Sequence, residues 1–217
     1  MITKLAIIGV LFAVVQLSAQ AEPKCWVGPP ESISKLQWPD MDDECIMEVK
    51  THIKRELQAS LTYLAMAAHF FNSENFRPGV AKFVLKHAGE ERQHARMLMD
   101  YILMRGYDIS KDEIPTIKPL ATSWDGVFEA LNTTLTIEKD VRDYFKRIIF
   151  ICEGGSDPEH KSVDYHISDF LTGNFLDEQH QGVREISGMM TTLGRILANT
   201  GNAAFAEFEF DRTLLDH

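Results

Sequence analysis

The sequence predicts an all-α protein: a four-helix bundle with one long crossover connection and a short fifth helix at the C-terminus. Three observations carry this reading. Apolar residues recur at steps of three and four through four long stretches, strand-like alternation is scarce, and one proline-bearing segment without helical period separates the second stretch from the third.

The first helix is expected from Asp42 to about Asn72, with Val49, Ile53, Glu56, Ser60, Tyr63, Ala67 and Phe70 stacked on one face. A second runs from Pro78, a favourable first-turn proline, to a stop at Gly106. Its seam reads Val80, Val84, His87, Glu91, His94, Leu98 and Tyr101, with a nearly equal one through Phe83, Glu90 and Met97. A third spans about Asp125 to Cys152 through Val127, Leu131, Thr134, Glu138, Val141, Phe145 and Ile148, ending at Gly154-Gly155. The fourth is expected as one helix from Asp157-Pro158 to about Ala198, through Phe175, Gln179, Val183, Ile186, Met190 and Leu193. After "NTGN" the stretch "AAFAEFEFD" makes the fifth.

The crossover "YDISKDEIPTIKPLATSW" has about 18 residues and can reach ~59 Å, more than the ~42 Å of a 28-residue helix. It can return the chain to the far end, so the third helix should run parallel to the second. Cys152 then comes to the same end of the bundle as Cys45, and these two are expected to pair within the subunit. Cys25 is left for a bridge to another chain, since thiols bound for an oxidising compartment tend to pair.

That compartment follows from the N-terminus. One lysine, an apolar run from Leu5 to Val15 and small residues ending Ala19-Gln20-Ala21 form a secretory leader, with cleavage expected after Ala21. The run falls short of the ~20 residues that a membrane span needs. The expected parts are thus a signal peptide over 1–21, an N-terminal extension over 22–41 and one domain over 42–217. Lys4 is the only charged residue ahead of Glu22, so losing the leader takes the net charge from −10 to −11. Such acidity argues against nucleic acid and anionic membranes as partners and favours cations.

Each helix interrupts its apolar seam near the middle with a side chain able to hold metal. These are Glu56 in the first, Glu91 and His94 in the second, Glu138 in the third and Gln179 in the fourth. Midpoints of bundled helices lie at one level, so the five groups should converge. Burying an ionised carboxylate costs several kcal/mol unless it is paired, and no lysine or arginine shares these seams, so cations must supply the balance. Glu91 and His94, three apart, sit about 60° apart around the helix and can reach one ion between helices. Oxygen-rich ligation with one or two nitrogens and no sulfur suits iron or manganese better than a structural zinc site. Tyr63, two turns beyond Glu56, can bond to such a cluster. His69, His87 and His180 lack such company and read as structural or surface residues, and the Asn132 sequon falls within a helix.

At these residues the chain resembles the ferritins, and specifically a heavy-chain-type subunit of the secreted insect kind. The pieces that carry the resemblance are "RELQASLTYL", "GEERQHARMLM", "LTIEKDV" and "NFLDEQ", within a match from about Asp42 to the C-terminus. The resemblance implies a ferritin-like bundle in a hollow 24-subunit shell. It also implies a ferroxidase with ligands at Glu56, Glu91, His94, Glu138 and Gln179, a tyrosine at Tyr63, and two iron ions per subunit oxidised by oxygen before mineral storage. The chain departs from that pattern with Gln93 and Arg96 beside Glu90, and with Thr172 beside Asp169. Those gaps imply a light-chain-type partner in a mixed shell, tethered through Cys25. Rival readings are a carboxylate-bridged di-metal oxidase outside a storage shell, a secreted helical ligand without chemistry, and a purely structural ferritin subunit. The first usually has Glu-x-x-His on two helices, the second needs two long crossovers, and the complete ligand set opposes the third.

Overall fold

The computed structural model describes residues 38–109, 117–155 and 163–215. Contacts divide the chain into Met1–Gln37 and Trp38–His217. The expected leader and Cys25 lie outside the described residues, all of which belong to the second unit. Helices account for its architecture, and no strand occurs among the described residues.

Helix α1 (Asp43–Phe71) starts where the Asp42 carboxylate accepts the Glu44 N–H at 2.9 Å, which satisfies one of the donors that a helix start leaves open. Helix α2 (Pro78–Met104) begins on its proline. Helix α3 (Val127–Cys152) starts two residues later than the sequence pattern suggested. All seven predicted seam positions are buried in each of the three. In α2 the competing positions Phe83, Glu90 and Met97 are only partly buried, which settles its register.

The fourth rod departs from expectation. Its expected start at Asp157-Pro158 lies outside the described residues, and within them it is not one helix but α4 (Tyr165–Leu171), a π-helical turn (Thr172–Leu176) and α5 (Asp177–Thr200). Asp164 sets the start: its side chain accepts the Ile167 N–H at 3.2 Å and is held by Arg105 Nη2 at 2.8 Å. Within the widened turn Asn174 Nδ2 donates to the Phe170 carbonyl at 2.7 Å. Phe175, the one buried side chain of that turn, stacks on Phe145 at 4.7 Å. Gly201 stops α5 in the left-handed conformation at φ 61°, and α6 (Ala203–Leu215) follows.

The crossover leaves a trace along α1. Gln58 Nε2 donates to the Lys118 carbonyl at 3.1 Å and the Leu120 N–H to Thr62 Oγ1 at 3.0 Å, after which Trp124 reaches His69. The starts of α2 and α3 therefore share one end, where Glu207 of α6 binds Arg77 at 3.3 Å and the Val127 N–H at 2.8 Å. At the opposite end Cys45 and Cys152 form a disulfide, with Cα atoms 4.9 Å apart across 107 residues of sequence. The parallel course of α2 and α3 and the expected cysteine pairing both hold.

Helix α6 supplies what two other helices lack. Neither α2 nor α3 has a side-chain cap of its own. Asp211 accepts the Val80 N–H at 2.8 Å and Glu207 accepts the Val127 N–H, so two acids of α6 cap both starts. The contact needs Gly79, because a Cβ there would stand 2.2 Å from the Asp211 carbonyl oxygen. Gly79→Ala is expected to cost about 1–3 kcal/mol by forcing α6 away from α2, read as earlier unfolding in urea and faster proteolysis of the C-terminal helix. Replacing Cys45 and Cys152 together by serine should cost about 2–5 kcal/mol in the same denaturation experiment, because a crosslink over so long a loop strongly restricts the unfolded chain.

Candidate metal centre

Helix periodicity sets the site. Glu56 and Tyr63 point inward from the middle of α1, Glu91 and His94 from α2, Glu138 from α3 and Gln179 from the first turn of α5. All six are buried, none more than 4 % exposed. Ligand-capable atoms of Glu56, Glu91 and His94 lie within 4.8 Å of one another, a group able to hold one metal ion. His94 Nδ1 is 3.1 Å from Glu91 Oε2, and its Nε2 is 3.4 Å from Glu178 Oε2. Tyr63 donates its hydroxyl to Glu138 Oε1 at 2.6 Å. Glu91, His94, Glu138 and Gln179 line a cleft of about 420 Å³ that opens past Lys86, Glu90, Glu178 and Glu185. On its wall Gly182 stands where a Cβ would lie 3.8 Å from Glu138 Oε2.

Several buried atoms here have no hydrogen-bond partner among the described residues: both carboxylate oxygens of Glu56, Oε1 of Gln179 and both ring nitrogens of His52. Three of the five are acceptors only. Native interiors seldom leave such atoms unpaired without a ligand or ion to meet them.

The electrostatics agree. Burial pushes Glu56 up to about 7, Glu91 up to about 8 and Glu138 up to about 7; neighbouring carboxylates add to it at Glu91 and Glu138, whereas at Glu56 the adjoining Glu91 carboxyl works against it. Burial works to lower His94, but its hydrogen bond to Glu91 and the charges of Glu91, Glu56 and Glu178 carry it up to about 9. Burial, with Glu138 next, holds the Tyr63 hydroxyl well above the usual tyrosine range. A cation in the middle would reverse the carboxylate shifts, since it favours the charged form that burial penalises.

Sequence reasoning missed three neighbours. His52 is fully buried one turn before Glu56, with Nε2 3.0 Å from Glu56 Oε1. His87, read as a structural or surface residue, instead lines the cleft, its Nδ1 3.4 Å from Glu90 Oε2 and 3.6 Å from Glu138 Oε1. Glu178 approaches His94 although its helix position is exposed. The available signal was spacing: His52 lies four residues from Glu56, and His87 four from Glu91. His69 rests edge-on against Phe70 and Trp124, and His180 is exposed, both as expected. Gln93 and Arg96 lie apart from the cleft, in a groove with Leu57, Arg92 and Met99, whereas Glu90 is on the cleft wall. Asp169 and Thr172 are exposed. At the sequon Asn132 is exposed but Thr134 is fully buried, its hydroxyl donating to the Ala130 carbonyl at 3.0 Å.

Comparison with known proteins decides the family. A family model described as Ferritin-like domain matches residues 48–196. The chain belongs to the ferritin family. It is 40% identical to the ferritin heavy chain of Papilio xuthus over 213 residues, 95% of this chain and 97% of that one. With the ferritin heavy chain of Drosophila melanogaster it shares 36% identity over 96% of this chain and 98% of the relative. The crystal structure of Trichoplusia ni secreted ferritin superposes with a TM-score of 0.78 at 37% identity, covering 89% of this chain and 98% of that chain. The bundle with its crossover and C-terminal helix is thus a ferritin fold, and its interior carboxylates sit in a ferritin frame.

The raised carboxyls make a pH prediction for the metal-free protein. Their folded values lie above the ordinary carboxylate value of 4.5, and that of His94 above 6.5. The stability they contribute is therefore complete at low pH and lost as pH rises to about 9. His52, driven down to about 3 by burial, acts in the opposite direction only below 6.5. Between pH 6.5 and 9 the melting temperature should fall by on the order of 5 °C. A variant carrying Glu56→Gln, Glu91→Gln and Glu138→Gln should flatten that slope in the same scans.

Proposed function

We propose that this chain is a heavy-chain-type ferritin subunit that oxidises Fe(II) to Fe(III) at a site inside its own bundle and passes the product to storage. One observation carries the reading: acids from α1, α2 and α3 converge in the interior, and oxygens of Glu56 and Gln179 have no partner there among the described residues. The heavy-chain names of the relatives support the same reading.

In this account Glu56, Glu91 and His94 receive the first ferrous ion. Glu91, shared, joins Glu138 and Gln179 in receiving the second. Three carboxylates against two divalent ions leave a small positive excess, which lets the site bind substrate cations without a permanent counter-charge. Hard anionic oxygens stabilise the ferric product over the ferrous substrate and so favour loss of one electron from each ion to oxygen. Tyr63 holds Glu138 in place through its hydroxyl and stands ready as a donor toward the oxidant. The cleft past Glu90, Glu178 and Glu185 offers an acidic path to and from the site.

Assembly belongs to the proposal as well. Leu64, Leu85 and Phe128 are exposed apolar residues on the outer faces of their helices, as subunit contacts of a 24-subunit shell require. The reading retains the light-chain-type partner, its tether through Cys25, and secretion by way of the 1–21 leader. Supporting these are the acidic groups that the chain lacks at Gln93, Arg96 and Thr172 and the secreted ferritin to which it is similar.

Aerobic oxidation of Fe(II), followed by ferric absorbance, tests the centre. A variant with Glu56→Ala, Glu91→Ala and His94→Ala should lose at least ~100-fold in initial rate, since even groups one shell further out change metal affinity or activity by up to that factor. Equal rates for the two proteins would remove the catalytic role and leave the fold untouched.

A further inference from the structure

His52 is buried as completely as Glu56, and the ligand set of the proposed reaction makes no use of it. A core histidine normally satisfies at least one ring nitrogen. Here neither nitrogen has a hydrogen-bond partner among the described residues, and Glu56 Oε1 stands 3.0 Å from Nε2. The two are close but not aligned as a hydrogen bond, and both oxygens of Glu56 are also without a partner.

The ring itself is tightly held. It lies parallel to Tyr144, with centroids 5.0 Å apart and planes at 11°, and edge-on to Phe145 at 4.2 Å and 80°. Tyr144 in turn donates its hydroxyl to Glu48, and the Arg55 guanidinium lies 4.3 Å over its ring. An anchored stack thus runs from the bundle surface to the oxygen of one candidate ligand. His52 does not belong to the group of Glu56, Glu91 and His94 whose ligand atoms lie within 4.8 Å of one another. A fourth ligand to that ion is therefore not what the geometry offers.

We propose that His52 is a positioning residue for Glu56: its imidazole is held by Tyr144 and Phe145, and a turn of the Glu56 carboxylate brings the oxygen 3.0 Å from Nε2 into line with the N–H, leaving the other oxygen for the ion shared with Glu91 and His94. The inference rests on the ferroxidase reading. A carboxylate restrained at one oxygen loses less freedom on capturing metal and favours one-point ligation over chelation. His52 would then set the affinity and coordination geometry of the first ion without touching it.

Cobalt(II) under anaerobic conditions is the probe, because its visible absorption reports coordination geometry independently of turnover. His52→Phe keeps a stacking ring without the N–H, and His52→Gln restores a donor of similar reach. Expected for His52→Phe are about 10–100-fold weaker cobalt binding at the tighter site and an altered visible spectrum, at an almost unchanged melting temperature. His52→Gln should recover most of the affinity and the original spectrum. Cobalt binding and spectrum in His52→Phe equal to those of the unsubstituted protein would overturn the proposal. So would a His52→Gln variant as impaired as His52→Phe, which would make the ring a packing element only. Glu56→Ala separates the two readings: if it too binds cobalt normally, the metal centre itself falls; if it alone is impaired, only the role of His52 does.

Discussion

Three carboxylates buried together, with no lysine or arginine on their helix seams and only the His94 ring to offset one of them, are the constraint on which the rest of this structure depends. Glu56, Glu91 and Glu138 come from three different helices, so bringing them together requires the bundle, and keeping them charged requires something positive between them. Burial, the largest cause at each, pushes all three up toward or past neutral pH. The surrounding core is ordinary by comparison: Phe175 stacks on Phe145 and meets Phe170 edge-on, and Val49, Val84, Leu98 and Ile148 fill the seams. Apolar burial of that kind holds the helices against each other tightly enough to keep the acids inside.

Two devices align the rods that carry those acids. At one end the Cys45–Cys152 bridge ties the start of α1 to the end of α3. At the other, the acids of α6 cap α2 and α3. The long connection makes both possible, since only a return over the length of the bundle puts the starts of α2 and α3 together. The π-turn ahead of α5 adds a local adjustment where Phe175 meets Phe145 and where His94 lies edge-on to Phe175 at 5.3 Å. Widened turns of this type recur at functional sites, because one extra residue re-aims the side chains that follow. Gln179 is three residues past its end.

Much of this was legible in the residues because helix periodicity is a strong signal over long stretches. The seams of α1, α2 and α3 were readable position by position, and so was the cysteine pairing, which follows from helix direction. The fourth rod was not. One widened turn leaves the apolar period almost intact, so it does not show in the spacing of Phe175, Gln179 and Ile186. His52 escaped for a different reason: it sits beside the seam rather than on it, and a single histidine in an apolar helix reads as core. His87 was on the seam, yet its closeness to Glu138 depends on how far α3 approaches α2, which no single helix reveals. The caps were also hidden, since Asp211 and Glu207 act on backbone groups more than 79 residues away in sequence.

The shared docking of α6 has a mechanical meaning. One short helix grips, through Asp211 and Glu207, the first turns of the two helices that carry Glu91, His94 and Glu138. It works as a yoke: the two shafts cannot slide lengthwise past one another without breaking a grip at their ends. Any change that loosens the C-terminal segment is thereby transmitted as a shear between rods, and it arrives at the interior acids as a mismatch in height.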